Sequence, residues 1–376
     1  MIHEEVSSTT QRTFSATTRV LGALKLDGPL LIGLGLIALF GQVVLYSASG
    51  QDLPSVIRGT VRLTLGTGAM IFLAQLKPAT LRRIAPWLFW MGVLLLLIVE
   101  GMGIIGKGAQ RWLDLGILRF QPSEIMKLAV PMYCAAYLND RQLPPDWSTL
   151  AKVAALVLLP TTLVVVQPDL GTGLLIVIAG MLVVLLAGLS GRIIGLMIVL
   201  AIGGAWVGWN FLHDYQQKRV LTFLDPQQDP LGAGYHIIQS TIAIGSGGVF
   251  GKGWMHGSQG QLEFLPERST DFIFAVIGEE FGLVGAVLLL LLYMFVVLRS
   301  LYLAMQTQGT FARLLSGSLA LTFFVYVFIN AGMVTGLVPV VGVPLPLVSY
   351  GGTSMVTLLA GFGILMSLYS HRKLVG

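Results

Sequence analysis

The stretch from Leu314 to Ser370, LLSGSLALTFFVYVFINAGMVTGLVPVVGVPLPLVSYGGTSMVTLLAGFGILMSLYS, runs 57 residues without one Asp, Glu, Lys or Arg. A helix needs about 20 apolar residues to cross the roughly 30 Å hydrocarbon layer of a bilayer, so this stretch is too long for one crossing and long enough for two. Pro339, Pro344 and Pro346 fall between its apolar halves and divide it, because each interior proline removes a helical hydrogen bond and three so close together break a helix. The dividing segment, LVPVVGVPLPLVSYGG, leaves backbone groups that hydrocarbon cannot satisfy. It is therefore expected to line a cavity or to pack against protein.

Working outward, the whole chain carries the same signature. Of its 376 residues 55% are hydrophobic and 11% charged, and mean hydropathy is +0.81. A soluble protein carries about 25% charged residues, so the apolar excess must face lipid and an ordinary cytosolic enzyme is excluded. Cys134 is the only cysteine, which excludes internal disulfides and cysteine-based metal sites. The net charge of +5 has no soluble basic domain to carry it, so it points to membrane topology and lipid rather than nucleic acid.

Uncharged runs place ten transmembrane helices in an all-α integral membrane protein. They are Gly28–Ser47, Leu63–Leu76 (extended outward by Arg58 and Arg62, which could snorkel), Ile84–Val99, Leu128–Asn139, Val153–Gln167, Leu170–Gly191, Ile193–Leu212, Phe281–Leu298 reaching upstream towards Asp271, and the two halves of 314–370. The first apolar stretch exceeds a signal-peptide core in length and reads as a retained span. Residues 1–27 form an N-terminal segment, 28–370 the membrane domain and 371–376 a tail, with both termini on one side. Placing the termini in the cytoplasm puts 13 of the 23 Lys and Arg residues inside and 10 outside, and the outer ones gather at two loops. One loop spans Ile105–Ser123. The other, a large periplasmic loop of residues 212–270 between helices seven and eight, contains YHIIQSTIAI, expected to form an amphipathic helix at the interface.

Asp271, at the head of the eighth span, is the leading candidate for chemistry, since a carboxylate at membrane depth is costly and usually faces a polar cavity. An N-cap role for Thr270 or Asp271 is the plainer alternative. Glu279 and Glu280 lie deeper on the same span, where pairing with a basic group is the simpler expectation. Glu124 and Lys127 are three apart on one helical face and suit an internal ion pair as well as a functional role. Lys107, Arg111, Arg119, Lys218, Arg219, Lys252 and Arg268 supply outer-face cations that suit a phosphate or diphosphate, or else lipid head groups. Trp112 and Trp254 fit interfacial anchoring or sugar stacking. Gly245–Gly253, GSGGVFGKG, lacks the spacing of a phosphate loop, and the five histidines show no metal-ligand spacing.

The motifs GKGAQRWLDLG, RFQPSE, QPDLGTG, LDPQQDPLGAGYHIIQS, LEFLPERSTDFIFAVIGEE and VPLPLVSYGGTS, in that order, resemble the SEDS family (shape, elongation, division and sporulation), and its elongation branch more than its division branch. The resemblance runs from the first span to the tail. It implies a ten-span peptidoglycan glycosyltransferase of the bacterial inner membrane that polymerises lipid II into β-1,4 glycan strands at the periplasmic face. It also implies a class B penicillin-binding protein as transpeptidase partner, alongside other elongation-complex proteins. The family's essential carboxylate falls on Asp271; Arg111 and Lys127 also fall on positions tied to activity. The resemblance further implies an inverting displacement: Asp271 takes the proton from the acceptor hydroxyl, and cations stabilise the undecaprenyl diphosphate leaving group. Arg111 is the first candidate among those cations, followed by Lys127, Arg219, Lys252 and Arg268, with Lys107, Trp112 and Glu124 completing the expected substrate-binding set. A divalent ion, Mg or Mn, held between Asp271 and phosphate would share that work, although no dedicated metal cage is visible. A lipid II flippase is the alternative from another class, since intramembrane charges and broken helices also suit transport. A non-catalytic scaffold is the third class, against which Asp271 and the outer-face cations speak.

Overall fold

A computed structural model describes residues 21–102, 104–106, 109–114, 119–211, 214–228, 233–261 and 264–371. Among these, ten helices have 17 or more residues: α1 (Gly28–Ala48), α2 (Leu53–Gln75), α3 (Pro78–Met102), α4 (Pro122–Asn139), α5 (Trp147–Val166), α6 (Leu170–Leu186), α7 (Gly191–Gly208), α11 (Ile273–Gln306), α12 (Thr310–Val334) and α13 (Ser354–Ser370). Seven are long and apolar enough to cross a membrane unaided; α6 and α13 are shorter apolar helices, and α4 carries Glu124 and Lys127. The bundle is a multi-pass membrane protein.

Helix ends follow from local chemistry. Asp27 caps α1 by accepting the Leu30 N–H at 3.0 Å, and the same carboxylate takes a two-pronged contact from Arg299 at 2.7 and 3.0 Å. Asp52, Asp146 and Asp169 cap α2, α5 and α6 in the same way. Helix α2 packs along α13 at very short range: a Cβ on Gly363 would lie 2.3 Å from the Met70 carbonyl oxygen. Close backbone approach at small residues is how apolar helices gain van der Waals contact when lipid offers no hydrophobic driving force between them. One core groups α1, α11, α12 and α13, and a second groups α3, α4, α5 and α6.

Three findings depart from the sequence reading. The segment after α3 is not a loop but a small antiparallel sheet of β1 (Ile104–Gly106), β2 (Ala109–Asp114) and β3 (Arg119–Phe120), in the order β1-β2-β3. The described residues of the 212–270 region hold three α-helices, α8 (Asp214–Leu224), α9 (Ala233–Gly247) and the short α10 (Ser258–Gln261). Helix α9 packs one face against the bundle: Ile237, Ser240 and Ala243 are buried, and a Cβ on Gly247 would fall 2.0 Å from the Gly278 carbonyl oxygen of α11. Its apolar face is used against protein.

The third departure is the eighth span, which is not one continuous helix. Asp271 precedes it, and Gly282 breaks it with φ 66° and ψ −164°. A kink at membrane depth must have its freed backbone groups satisfied. Here the glycine-rich turn 247–253 does so: Lys252 and Gly253 donate N–H to the Glu279 and Glu280 carbonyls at 3.0 Å each, while Leu283 and Val284 donate to the Gly248 and Val249 carbonyls at 3.0 and 3.1 Å. The stretch that imitates a phosphate loop is thus a backbone splice. Its glycines let the turn come within reach, since a Cβ on Gly251 would lie 2.2 Å from the Glu280 carbonyl oxygen.

Candidate functional site

Asp271 occupies the turn immediately before Phe272, the N-cap residue of α11, so neither Thr270 nor Asp271 is the cap. Three consecutive carbonyls of that turn are held by hydrogen bonds from elsewhere in the chain. The Ser269 carbonyl accepts the Tyr350 N–H at 2.8 Å, the Thr270 carbonyl accepts the Ser349 hydroxyl at 2.5 Å, and the Asp271 carbonyl accepts Nδ2 of Asn330 at 2.9 Å. Ser349 is itself held by the Leu345 N–H, and Asn330 also donates to the Val343 carbonyl at 2.7 Å. With its peptide fixed, half-buried Asp271 faces Gly342: a Cβ there would sit 3.4 Å from Oδ2. Gly342 has φ 73°, a left-handed conformation that favours glycine.

The proline-rich segment that splits the last apolar stretch is therefore the hub of this face. Besides Asp271, it meets Trp112 of β2, whose ring edge lies 3.8 Å from the Cβ position of Gly352. It meets α6, where a Cβ on Gly171 would lie 2.3 Å from the Val341 carbonyl oxygen, and α2 through Tyr350. Arg58 donates to the Tyr350 hydroxyl at 2.9 Å, and the Arg62 guanidinium stacks on the Tyr350 ring at 4.3 Å from its centroid. Nη1 of Arg62 is buried and has no hydrogen-bond partner among the described residues.

The other sequence-predicted residues divide by partner. Arg111 sits on β2 with Nε 3.1 Å from the Gln167 carbonyl, a further hydrogen bond to the Pro168 carbonyl, and Asp169 at 3.8 Å. Gln121 donates to the same Asp169 at 3.0 Å, so the GAQRW, RFQPSE and QPDLGTG motifs form one brace. Lys252 is paired with Glu279 at 2.7 Å, and Glu279 also accepts the Gln259 and Gly260 N–H groups at the start of α10. Arg268 donates to the Gly260 carbonyl. Glu124 and Lys127 form a buried ion pair of 2.6 Å with Lys127 over the Tyr326 ring, beside a narrow pocket of about 30 Å³ lined by Thr322, Phe323 and Thr357. Glu280 accepts the Ser47 hydroxyl. Trp254 donates to the Val43 carbonyl at 3.2 Å. Lys107 and Glu263 lie outside the described residues, and Arg119, Lys218 and Arg219 are described in backbone only, on β3 and α8.

Sequence reasoning gave Arg58 and Arg62 only a snorkelling role and passed over Asp169, Asn330 and Tyr350. The signal for the two arginines was their spacing of four at one end of an apolar helix, which puts both on one face. No comparable local signal marks Asn330. Among the described residues no three His, Cys, Asp or Glu side chains converge as a metal site. A divalent ion at Asp271 would need phosphate oxygens for most of its ligands.

The fold and this site define a polytopic helical membrane protein in which a carboxylate stands on a fixed turn against a proline-rich hub, and the same hub meets Trp112, Arg58 and Arg62. Residues 28–374 match the family described as Cell cycle protein (FtsW, RodA and SpoVE), the SEDS proteins, and the chain belongs to that family. It is 52% identical over 351 residues to peptidoglycan glycosyltransferase MrdB of Escherichia coli, covering 93% of this chain and 95% of that protein. A probable peptidoglycan glycosyltransferase FtsW of Geobacter metallireducens is 35% identical, covering 89% and 92%. Among solved structures, a chain of a peptidoglycan synthase complex that coordinates polymerization and crosslinking superposes with TM-score 0.81 at 36% identity, covering 93% of this chain and 98% of that one. The rod shape determining protein RodA of Thermus thermophilus gives TM-score 0.70 at 30% identity, covering 92% and 98%.

Proposed function

We propose that this chain is a peptidoglycan glycosyltransferase that polymerises lipid II into β-1,4 glycan at the periplasmic face of the bacterial inner membrane, with both termini cytoplasmic. The observation that carries the catalytic assignment is the clamped turn. Three successive carbonyls are tied down, and the carboxylate that follows is turned to a glycine. A base fixed in this way pays no reorganisation when it takes a proton. Asp271 accepts the proton of the acceptor sugar hydroxyl, whose oxygen attacks the anomeric carbon of the donor. The bond from that carbon to the diphosphate breaks on the opposite side, inverting the configuration. The diphosphate leaves with the electron pair, and its charge needs fixed cations.

Arg111 is held by two carbonyls and Asp169, so its first role is to brace β2 and keep Trp112 against the hub. Arg62, nine residues into α2 and with a buried nitrogen that has no partner among the described residues, is the better placed donor for phosphate. The polyprenyl chain stays in lipid and the sugar enters from the side. A divalent cation, if bound, would add charge at the phosphates.

By analogy with the synthase complex, a class B penicillin-binding protein supplies cross-linking beside this chain. The test is polymerisation of purified lipid II by the purified protein with its partner, comparing native and Asp271→Ala. Loss of glycan from an intact complex supports the assignment; undiminished polymer from the variant refutes it.

A further inference from the structure

Asn330 is fully buried on α12, among Val327, Ile329, Met333 and Val334, and the reaction as described gives it no role. Both hydrogens of its amide are committed, one to the Asp271 carbonyl at 2.9 Å and one to the Val343 carbonyl at 2.7 Å. These two carbonyls belong to different segments, and the segments carry two groups that face each other, the Asp271 carboxylate and Gly342, with Oδ2 3.4 Å from the Cβ position of the glycine. The acceptor oxygen Oδ1 is buried with no hydrogen-bond partner among the described residues. A leucine of similar size would fill the same space but would leave the Asp271 and Val343 carbonyls without these donors, which costs free energy. What the amide supplies here is its two donors.

The other clamps on this turn, Ser349 and the Tyr350 N–H, come from the hub segment that also contains Val343. Asn330 alone among the three comes from a long helix embedded in the core. It is the contact that refers both segments to the frame of the bundle.

We propose that Asn330 is a positioning residue for glycan polymerisation: its amide bridges the Asp271 and Val343 carbonyls and so fixes the Asp271 carboxylate relative to Gly342 and to the bundle, in the position from which it meets the acceptor hydroxyl. The inference rests on the reading of Asp271 as general base. It predicts which property of the side chain matters. Asparagine to leucine keeps the volume and removes both donors. Asparagine to aspartate keeps the shape and removes at least one donor, since a carboxyl buried against two carbonyls stays protonated and has a single O–H. Glutamine keeps the amide on a longer arm.

The experiment measures kcat and KM for lipid II with the native complex and its Asn330→Leu, Asn330→Asp, Asn330→Gln, Asp271→Asn and Asn330→Leu/Asp271→Asn variants, with the folded, partner-bound fraction determined for each. The leucine and aspartate variants are expected to lose about 10²-fold in kcat per folded complex with KM little changed, as a misplaced catalytic group does. Glutamine should recover part of that loss, and the double variant should be no worse than Asp271→Asn alone. A leucine or aspartate variant with native kcat, beside an inactive Asp271→Asn, overturns the role of Asn330 and leaves the base assignment standing. Native activity in Asp271→Asn overturns the base assignment itself. A loss that merely follows the folded fraction, or that falls on KM, assigns Asn330 to structure alone and overturns the proposal.

Discussion

Replacing Lys127 with methionine separates two roles that the same residue could play. In the fold, its ammonium is 2.6 Å from Glu124, and both side chains are 6% exposed. At that distance the attraction is 332/(20 × 2.6), about 6 kcal/mol in gross terms at an effective dielectric constant of 20. Desolvation of the two ions offsets most of it, so the pair adds little net stability. The single substitution is different, because it leaves the Glu124 carboxylate buried with no counter-ion, and Oε2 already lacks a partner among the described residues. Breaking one side of a buried pair costs about 3–5 kcal/mol. Methionine matches the lysine stem, so the cavity contribution is small. At roughly 2 °C per kcal/mol for a large domain, the unfolding midpoint of Lys127→Met should fall by roughly 6–10 °C. Adding Glu124→Gln removes the orphan charge and should return most of that loss. The assay is thermal unfolding in detergent followed by intrinsic fluorescence, run beside lipid II polymerisation on the same samples. A midpoint unchanged in Lys127→Met, or one that Glu124→Gln does not restore, refutes the ion-pair reasoning. Lost polymer at a native midpoint would instead place Lys127 on the substrate.

Three other outcomes are expected. Gly247→Val drives a side chain into the Gly278 carbonyl of α11, 2.0 Å from the Cβ position, and should cost about 1–3 kcal/mol and open the 233–261 region to protease; unchanged cleavage kinetics would count against the close packing of α9. Asp27→Ala removes both the α1 cap and the contact to Arg299, and should destabilise by about 2 kcal/mol in denaturant unfolding; a loss below about 0.5 kcal/mol would show the cap to be idle. Hydrogen bonds from Thr149 and Ser148 hold the Asp146 carboxyl at about 2, below its ordinary value, so its cap on α5 contributes above the unfolded value and is lost as pH falls through the folded one. The midpoint difference between native and Asp146→Asn should stay constant from pH 7 to 5 and shrink only below about pH 4, and a change already present between pH 7 and 6 would contradict it.

The elements legible in the sequence were those written in local composition. The first span came through almost to the residue, as Gly28–Ala48, whereas helices α2 to α5 begin six to ten residues before the uncharged runs that marked them. Asp271 was visible because a carboxylate beside FIFAVIG is conspicuous, and the plain reading of Glu124 with Lys127 as an internal pair matches the geometry. The β-sheet after α3 and the embedding of α9 were not legible. Short strands in a glycine-rich stretch lack a clear period of two, and an amphipathic helix has the same pattern whether its apolar face meets lipid or protein. Nor could the sequence show that Lys252 is neutralised by Glu279, 27 positions away, or that Arg111 is spent on the 167–169 turn.

By itself the sequence determined the solvent, the helical membrane class, the proline-rich break and the family motifs, because each depends on residues close together in the chain. Only the tertiary structure decided which cations are already paired, how the Gly282 kink is made good by the 247–253 turn, and that Asn330 reaches a carbonyl 59 positions away. Hydrogen bonds and ion pairs act over about 3 Å, and which groups come that close is fixed by helix packing across the bundle, on which composition and spacing are silent.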